Sequence, residues 1–246
     1  MNKSLFKVSA SIVIYNESEN TLSKLLESFF SLNLKKELIV LDNSPRNTLK
    51  EFCETYPLTY IHVEKNIGFG RGHNIAFQHI KQSDIHLILN PDINFEPQNL
   101  QDFLEWFIQE KNLVLAIPKV LYPDESFQYV VRDIPTPFTL LKRKLHYFND
   151  EWSESKLQEI TEVPFANGCF FAFKSDVFDK LDGFDEDYFM YMEDIDIWIR
   201  AKKYGKTVYN PYYKIYHEHR KGSSKSLKLF IYHLVSAIKF FRKYSL

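Results

Sequence analysis

What this sequence lacks narrows it first. Two cysteines, Cys53 and Cys169, are too few for a disulfide framework and suit a reducing compartment. A surplus of one charge is missing: 31 basic against 32 acidic residues leave −1, so no global electrostatic case exists for nucleic acid as a partner. No run approaches the roughly 18 uninterrupted apolar residues of a membrane-spanning helix. The opening Met1-Asn2-Lys3-Ser4-Leu5 is soon interrupted by charge or polarity, so no signal peptide is expected. The expectation is a cytoplasmic protein. Glycine is also missing where two enzyme classes need it. The turn after the first apolar run, Asn16-Glu17-Ser18-Glu19-Asn20, has none, which excludes the dinucleotide fingerprint and the loop of a sugar-nucleotide pyrophosphorylase. Gly68-Phe69-Gly70-Arg71-Gly72 has the wrong spacing and position to replace it. Internal repeats, low-complexity tracts and interdomain linkers are absent too.

What is present is enough for one large core: 246 residues, 45% hydrophobic and 16% aromatic. Val8–Tyr15 is apolar and β-branched, as a buried strand should be. From Thr21 a helix follows, with Leu22, Leu25, Leu26, Phe29 and Phe30 on one stripe. Strands are predicted over Glu37–Leu41, Tyr60–Val63, Ile85–Leu89 and Leu113–Ile117. Helices are predicted over Leu49–Tyr56, Gly72–Lys81 and around Leu100–Ile108. This alternation predicts an α/β fold, a mainly parallel sheet with helices on both faces, whose ligands sit at the carboxyl ends of the strands. Asn16, Asp42 and Asp92 all follow strands there. Beyond Pro118 the pattern is less regular. Loops or a short helix are expected to Ile160, one strand over Phe165–Phe173, a short helix capped by Ser175, a turn at Gly183-Phe184-Asp185, and a helix from Asp194 to Tyr204 stopped by Gly205.

Two acidic motifs about a hundred residues apart carry the chemistry. Asn90-Pro91-Asp92 ends the run Ile85–Leu89, and Glu193-Asp194-Ile195-Asp196 follows the aromatic Tyr188–Tyr191. A carboxylate at the end of a buried strand can hold a hard cation, and a second acidic cluster can supply a base. Metal plus base is the equipment for moving a group off a diphosphate. Each motif also has a structural reading. Asp42 can cap the turn before Pro45, Asn90-Pro91-Asp92 can be a strand-ending turn, and Glu193 and Asp194 can complement a helix dipole. Asp196 reads as structural or solvent-facing.

Taken together and in order, these segments resemble the family-2 inverting glycosyltransferases of GT-A fold, especially their rhamnosyltransferase-like branch. The resemblance runs from about Ser9 to Ser224. It rests on Ser11-Ile12-Val13-Ile14-Tyr15-Asn16, Leu38–Ser44 with Asp42, Asn66–Asn74, Asn90-Pro91-Asp92, Gly183-Phe184-Asp185 with Met192-Glu193-Asp194, and His217–Ser224. It implies a donor site of Tyr15, Asn16, Glu17, Asp42, Asn66, Gly68, Gly70, Arg71, Asn74, Asn90 and Asp92, with Asp42 meeting a uracil or thymine base. It implies Mn2+ or Mg2+ on Asp92 with His217 or His219, His217 being preferred. The catalytic residues would be Asp194 as base and Glu193, with Gly168, Tyr191 and Met192 on the acceptor side. The implied substrates are a nucleoside-diphosphate sugar, of uridine or thymidine type with thymidine-diphosphate rhamnose the weakly preferred case, and a saccharide or lipid-linked acceptor. Asn90 stands where the family's metal motif has its first carboxylate, and Asp42-Asn43-Ser44-Pro45 is shorter than the usual segment. A catalytically inactive nucleotide-binding scaffold is the alternative.

The organisation implied is one continuous domain: a donor half over 1–118, an acceptor and catalytic half over 119–223, and a basic amphipathic helix over 224–246. From Arg220 onward basic residues interleave with apolar ones, and no acidic residue occurs. Such a helix can lie on an anionic membrane, on the inner face of the plasma membrane here, or pack its apolar side on the domain or on a second copy in a homo-oligomer. Packing is the expectation.

Overall fold

The computed structural model of the protein describes residues 6–144, 150–218 and 227–245. The first half alternates as predicted: β1 (Lys7–Ile14), α1 (Glu19–Phe30), β2 (Lys35–Asp42), α2 (Lys50–Cys53), β3 (Thr59–His62), α3 (Phe69–Gln78), β4 (Ile85–Leu89), β5 (Ile93–Asn94), α4 (Pro97–Gln109) and β6 (Leu113–Leu121). The second half adds β7 (Val131–Arg132), α5 (Pro137–Lys144), a 3-10 turn at Glu154–Lys156, β8 (Thr161–Glu162), β9 (Phe165–Ala166), β10 (Phe170–Lys174), α6 (Ser175–Lys180), α7 (Glu193–Ala201), β11 (Lys206–His217) and α8 (Leu227–Tyr244). Among the described residues no helix is long and apolar enough to cross a membrane.

Nine strands form one sheet, in the order β3-β2-β1-β4-β10-β6-β11-β5, with β8 also paired to β11; β7 and β9 make a separate ribbon. The pairs among β1, β2, β3 and β4 are parallel, as is β6 with β11. Strand β10 runs antiparallel between β4 and β6, so the two halves of the chain share one sheet. Helices cover it and bury apolar faces: Leu22, Leu25, Leu26 and Phe29 from α1, and Leu100, Phe103, Leu104 and Phe107 from α4. Each begins at a side-chain cap. Ser18 accepts the Thr21 N–H at 3.3 Å, and Glu96 accepts the Asn99 N–H at 2.7 Å just before Pro97.

Register gathers the functional edge. Ile14 pairs with Asp42, Ile12 with Leu89, and the start of β10, Phe170, with Leu89. Asn16, Asp42, Asn90-Pro91-Asp92 and the loop before β10 therefore leave the sheet at the same edge.

Three local expectations change. The strand expected over Phe165–Phe173 breaks into β9 and β10, because a turn at Asn167-Gly168-Cys169 (Cys169 N–H to Asn167 O, 2.9 Å) interrupts it. Helix α3 starts at Phe69 rather than Gly72, since Gly68, at φ +99°, makes the turn into it. Ser175 does not cap α6: Lys174 holds that position, and the Ser175 hydroxyl bonds that of Ser83 at 2.7 Å instead.

That hydroxyl begins a chain of polar groups through the core. Ser83 meets Ser9 at 2.7 Å, and Ser9 meets His86 Nδ1 at 2.9 Å. His86 Nε2 meets Ser11 at 3.0 Å, and Ser11 meets His73 Nδ1 at 2.7 Å. His73 Nε2 is buried without a partner. Both imidazoles are fully buried, and burial holds each well below the usual histidine range, His86 at about 3.

Candidate active site

The site is built from strand ends and one loop. After β4, Asn90 gives its N–H to Cys169 O at 2.9 Å, which ties the Asn90-Pro91-Asp92 turn to the Asn167–Cys169 loop. Asp92 carries its Oδ1 3.2 Å from His217 Nε2 at the end of β11, and Asn90 Nδ2 lies 3.5 Å from the same nitrogen. The backbone closes this turn as well, with Glu218 N–H donating to Asp92 O at 3.0 Å. On its other side His217 Nδ1 sits 2.7 Å from Gln128 Oε1, an acceptor, so Nδ1 carries a proton. In the neutral ring the Nε2 lone pair then faces Asp92. Burial lowers this imidazole, but Cys169 and Asp92 beside it outweigh burial and raise it to about 10. Neither Gln128 nor Cys169 stands out in the sequence, since each meets His217 only through the fold. His219 lies outside the described residues.

The same loop reaches the second acidic motif. Gly168 N–H donates to the Asp194 carboxylate, as does Ile195 N–H at 2.9 Å. A β-carbon on Gly168 would sit 3.3 Å from Asp194 Cβ, so loop and helix start are in close contact. Asp194 and Glu193 open α7, whose approach is strained: Tyr191 and Met192 both take left-handed backbone, at φ 70° and 68°. Burial and then Asp194 raise Glu193 above the carboxylate range, and its Oε2 has no partner. Burial also raises Asp194, against its backbone donors. Asp196 is structural, with Arg200 Nε at 2.6 Å and the Tyr244 hydroxyl at 2.8 Å.

The donor-side residues divide. Tyr15 is 47% exposed, and Asn16, at φ 52°, is fixed by its N–H to Ser44 Oγ at 2.8 Å. Glu17 is half-buried in the same turn. Asp42 is buried, and its oxygens accept the Ser44 N–H at 2.8 Å and the Tyr60 hydroxyl at 2.5 Å. Burial and this bond push the Tyr60 phenol well above its usual value. Asn66 turns the chain by accepting the Gly68 N–H at 2.9 Å. A β-carbon on Gly68 would meet Phe189 O at 2.4 Å, and one on Gly70 would meet Phe184 Cβ at 2.7 Å; both glycines permit close packing. Exposed Arg71 pairs with Glu186 at 3.3 Å. The Asn74 amide is engaged inside the protein, giving one 2.8 Å bond to Phe184 O and taking another from Phe184 N–H. It anchors the Gly183-Phe184-Asp185 turn to α3. Met192 is 3% exposed, while the Tyr191 ring lies against His233.

A family model described as "Glycosyl transferase family 2" matches residues 9–182, well over half of the chain. The chain belongs to glycosyl transferase family 2. Among curated proteins, this family-2 glycosyltransferase is 28% identical over 242 residues to Rhamnosyltransferase WbbL of Escherichia coli, covering 93% of this chain and 90% of that one. It is 26% identical to the N-acetylglucosaminyl-diphospho-decaprenol L-rhamnosyltransferase of Mycobacterium tuberculosis, over 85% of this chain and 77% of the relative. Among solved structures, GalNAc-T7 with UDP, GalNAc and Mn2+ superposes with a TM-score of 0.73 at 16% identity, over 97% of this chain and 48% of that one. The mannosyltransferase PcManGT of Pyrobaculum calidifontis, in complex with GDP-Man and Mn2+, gives 0.65 at 18%, over 96% and 64%. These likenesses establish the GT-A fold.

Proposed function

We propose that this glycosyltransferase moves a sugar, with inversion, from a uridine- or thymidine-diphosphate donor to a saccharide or lipid-linked acceptor in bacterial surface polysaccharide synthesis. The observation that carries the reading is the meeting of Asp92 and His217, 3.2 Å apart, at the sheet edge whose loop also grips Asp194. Two relatives named as rhamnosyltransferases support thymidine-diphosphate rhamnose as donor, and the decaprenol diphosphate in the name of one supports a lipid-linked acceptor.

The donor atoms fit a divalent ion. Asp92 and His217, a carboxylate oxygen and an imidazole nitrogen 3.2 Å apart, would hold it between them. Among the described residues no three of His, Cys, Asp and Glu gather into a complete site, so diphosphate oxygens would fill the remaining positions. An imidazole beside a carboxylate favours Mn2+ over Mg2+. Bound there, the ion supplies charge neutralisation for the departing diphosphate. His217 would hold the ion only after giving up the proton on that nitrogen.

Base assignment follows from unequal environments. Glu193 is buried with an unpartnered oxygen and is raised to about 8, so it retains the proton of the pair, whereas burial raises Asp194 against backbone N–H donors that include Gly168 and Ile195, which leaves Asp194 as the base. Asp194 accepts the proton of the acceptor hydroxyl as that oxygen attacks the anomeric carbon. The carbon–oxygen bond to the diphosphate breaks on the opposite face, and the diphosphate leaves with the electron pair. Exposed Tyr15 offers a ring to the base. An imide N–H that reaches Asp42 has to share the carboxylate with Tyr60 and Ser44.

The test is thermal shift and donor hydrolysis with thymidine- and uridine-diphosphate sugars, in Mn2+, Mg2+ or EDTA, for wild type and Asp92→Ala. Metal-dependent stabilisation and turnover by one donor, both lost in the variant, are expected. Donor binding without turnover would favour the inactive-scaffold reading, and no binding of any donor would remove the nucleotide site.

A further inference from the structure

Helix α8 turns its most apolar side away from the domain. Leu227 is 74% exposed, Ile231 49%, Leu234 48%, Val235 45% and Ile238 45%. Their spacing places them on one stripe along the helix. The side that packs is less apolar: Ser236, Ala237 and Phe240 are its buried residues. From that side the Ser236 hydroxyl donates to Met190 O at 2.8 Å, Lys239 donates to Asp187 O, and Tyr232 lies against Phe189. Of the packing expected on the domain or on a second copy, the contact with the domain is made by this narrower side, where Ala237 and Phe240 join the core. The inner side clamps residues 187–191, and a greasy stripe from Leu227 to Ile238, about 17 Å long at 1.5 Å per residue, faces outward.

A contiguous apolar surface of this kind marks an interaction site, and charge decides its occupant. Lys228 is exposed on the flank of the stripe and Arg242 at its C-terminal end, and the sequence holds no Asp or Glu between His219 and Leu246. A two-fold contact between copies would set this patch against itself, cation facing cation with no carboxylate on the helix to answer. An anionic lipid surface answers both features: acyl chains take the stripe and headgroups take the cations.

We propose that α8 docks the protein on an anionic membrane surface, lying in the plane of the interface with its aliphatic stripe inserted. Because its inner side holds residues 187–191, the bilayer would lie about one helix diameter, ~10 Å, from the segment that leads into Glu193 and Asp194. The inference rests on α8 alone and stands whichever donor is used.

The test is flotation of the full chain with vesicles of phosphatidylcholine alone, and of phosphatidylcholine with phosphatidylglycerol, at low and high salt. Binding is expected to the anionic vesicles and to weaken with salt. Leu234→Glu with Ile238→Glu should weaken it about tenfold or more, and Lys228→Glu with Arg242→Glu several-fold, through loss of the salt-sensitive part. Melting temperature and donor hydrolysis without vesicles should stay unchanged in both variants, which separates this inference from the donor reading. Wild type that ignores anionic vesicles at low salt would overturn the proposal. So would a wild-type dimer in light scattering that Ile238→Glu converts to monomer, because the occupant would then be a second copy.

Discussion

Lowering the pH should unfold this protein by way of its two core histidines. His73 and His86 are fully buried and stay neutral in the native state, whereas in the unfolded chain each titrates near 6.5. Their folded pKa values are depressed, so no cost arises above pH 6.5. As pH falls below it, the unfolded state takes up protons that the native state refuses. At pH 5, 1.5 units below the unfolded value, each histidine therefore costs about 2 kcal/mol, and the pair about 4. Glu193 opposes this. Its folded pKa is raised, so the native state takes up a proton that the unfolded state accepts only near 4.5, returning about 2 kcal/mol over the same span. The net loss expected between pH 6.5 and pH 5 is about 2 kcal/mol. Variants isolate each part, since urea unfolding of His86→Gln should show about 2 kcal/mol less loss than wild type, and Glu193→Gln about 2 kcal/mol more. Parallel pH profiles for wild type and His86→Gln would refute the reasoning, because they would mean that the buried ring is protonated in place or open to water.

Two further predictions concern the site. Gly68→Ala forces a β-carbon to 2.4 Å from Phe189 O at a φ of +99°, and should cost at least about 1–3 kcal/mol in urea unfolding; an unchanged midpoint would mean that the loop shifts freely. Asp194→Asn should lower transfer by about 10²–10⁴ while leaving donor binding by thermal shift intact, with Glu193→Gln far milder. If Glu193→Gln were the more damaging in kcat, the two roles would be exchanged.

How far the fold could be read ahead depended on how each element is buried. β4 was plain because all five of its residues are buried, and the strong amphipathic stripes of α1 and α4 were equally plain. β11 was not predicted at all. It carries Pro211 and a register shift between Asn210 and Lys214, so its period-2 signal breaks in the middle. β7 and β8, at two residues each, are too short to leave a pattern. In the site, Asp92, His217, Glu193 and Asp194 were nameable from ordered motifs; strand register brings the first two together, and the Asn167–Cys169 loop ties Asp194 to them. Gln128, Cys169 and Tyr60 act through side-chain contacts between elements distant in sequence, which no local pattern encodes. Asn74 looked like a nucleoside contact because it sits in the glycine-rich segment, yet both ends of its amide grip Phe184.

The position of β10 has a consequence for synthesis of the chain. β4 is finished at Leu89, but the strand that covers its free side begins at Phe170, about eighty residues later. At typical rates of 5–20 residues per second, a nascent β4 waits about 4–16 s with an apolar edge unpaired. During that interval the first four parallel strands form a sheet with an open flank suited to pairing with another chain. The donor half is thus a poor candidate for expression alone, and truncation before Phe170 should yield aggregate rather than a smaller nucleotide-binding unit.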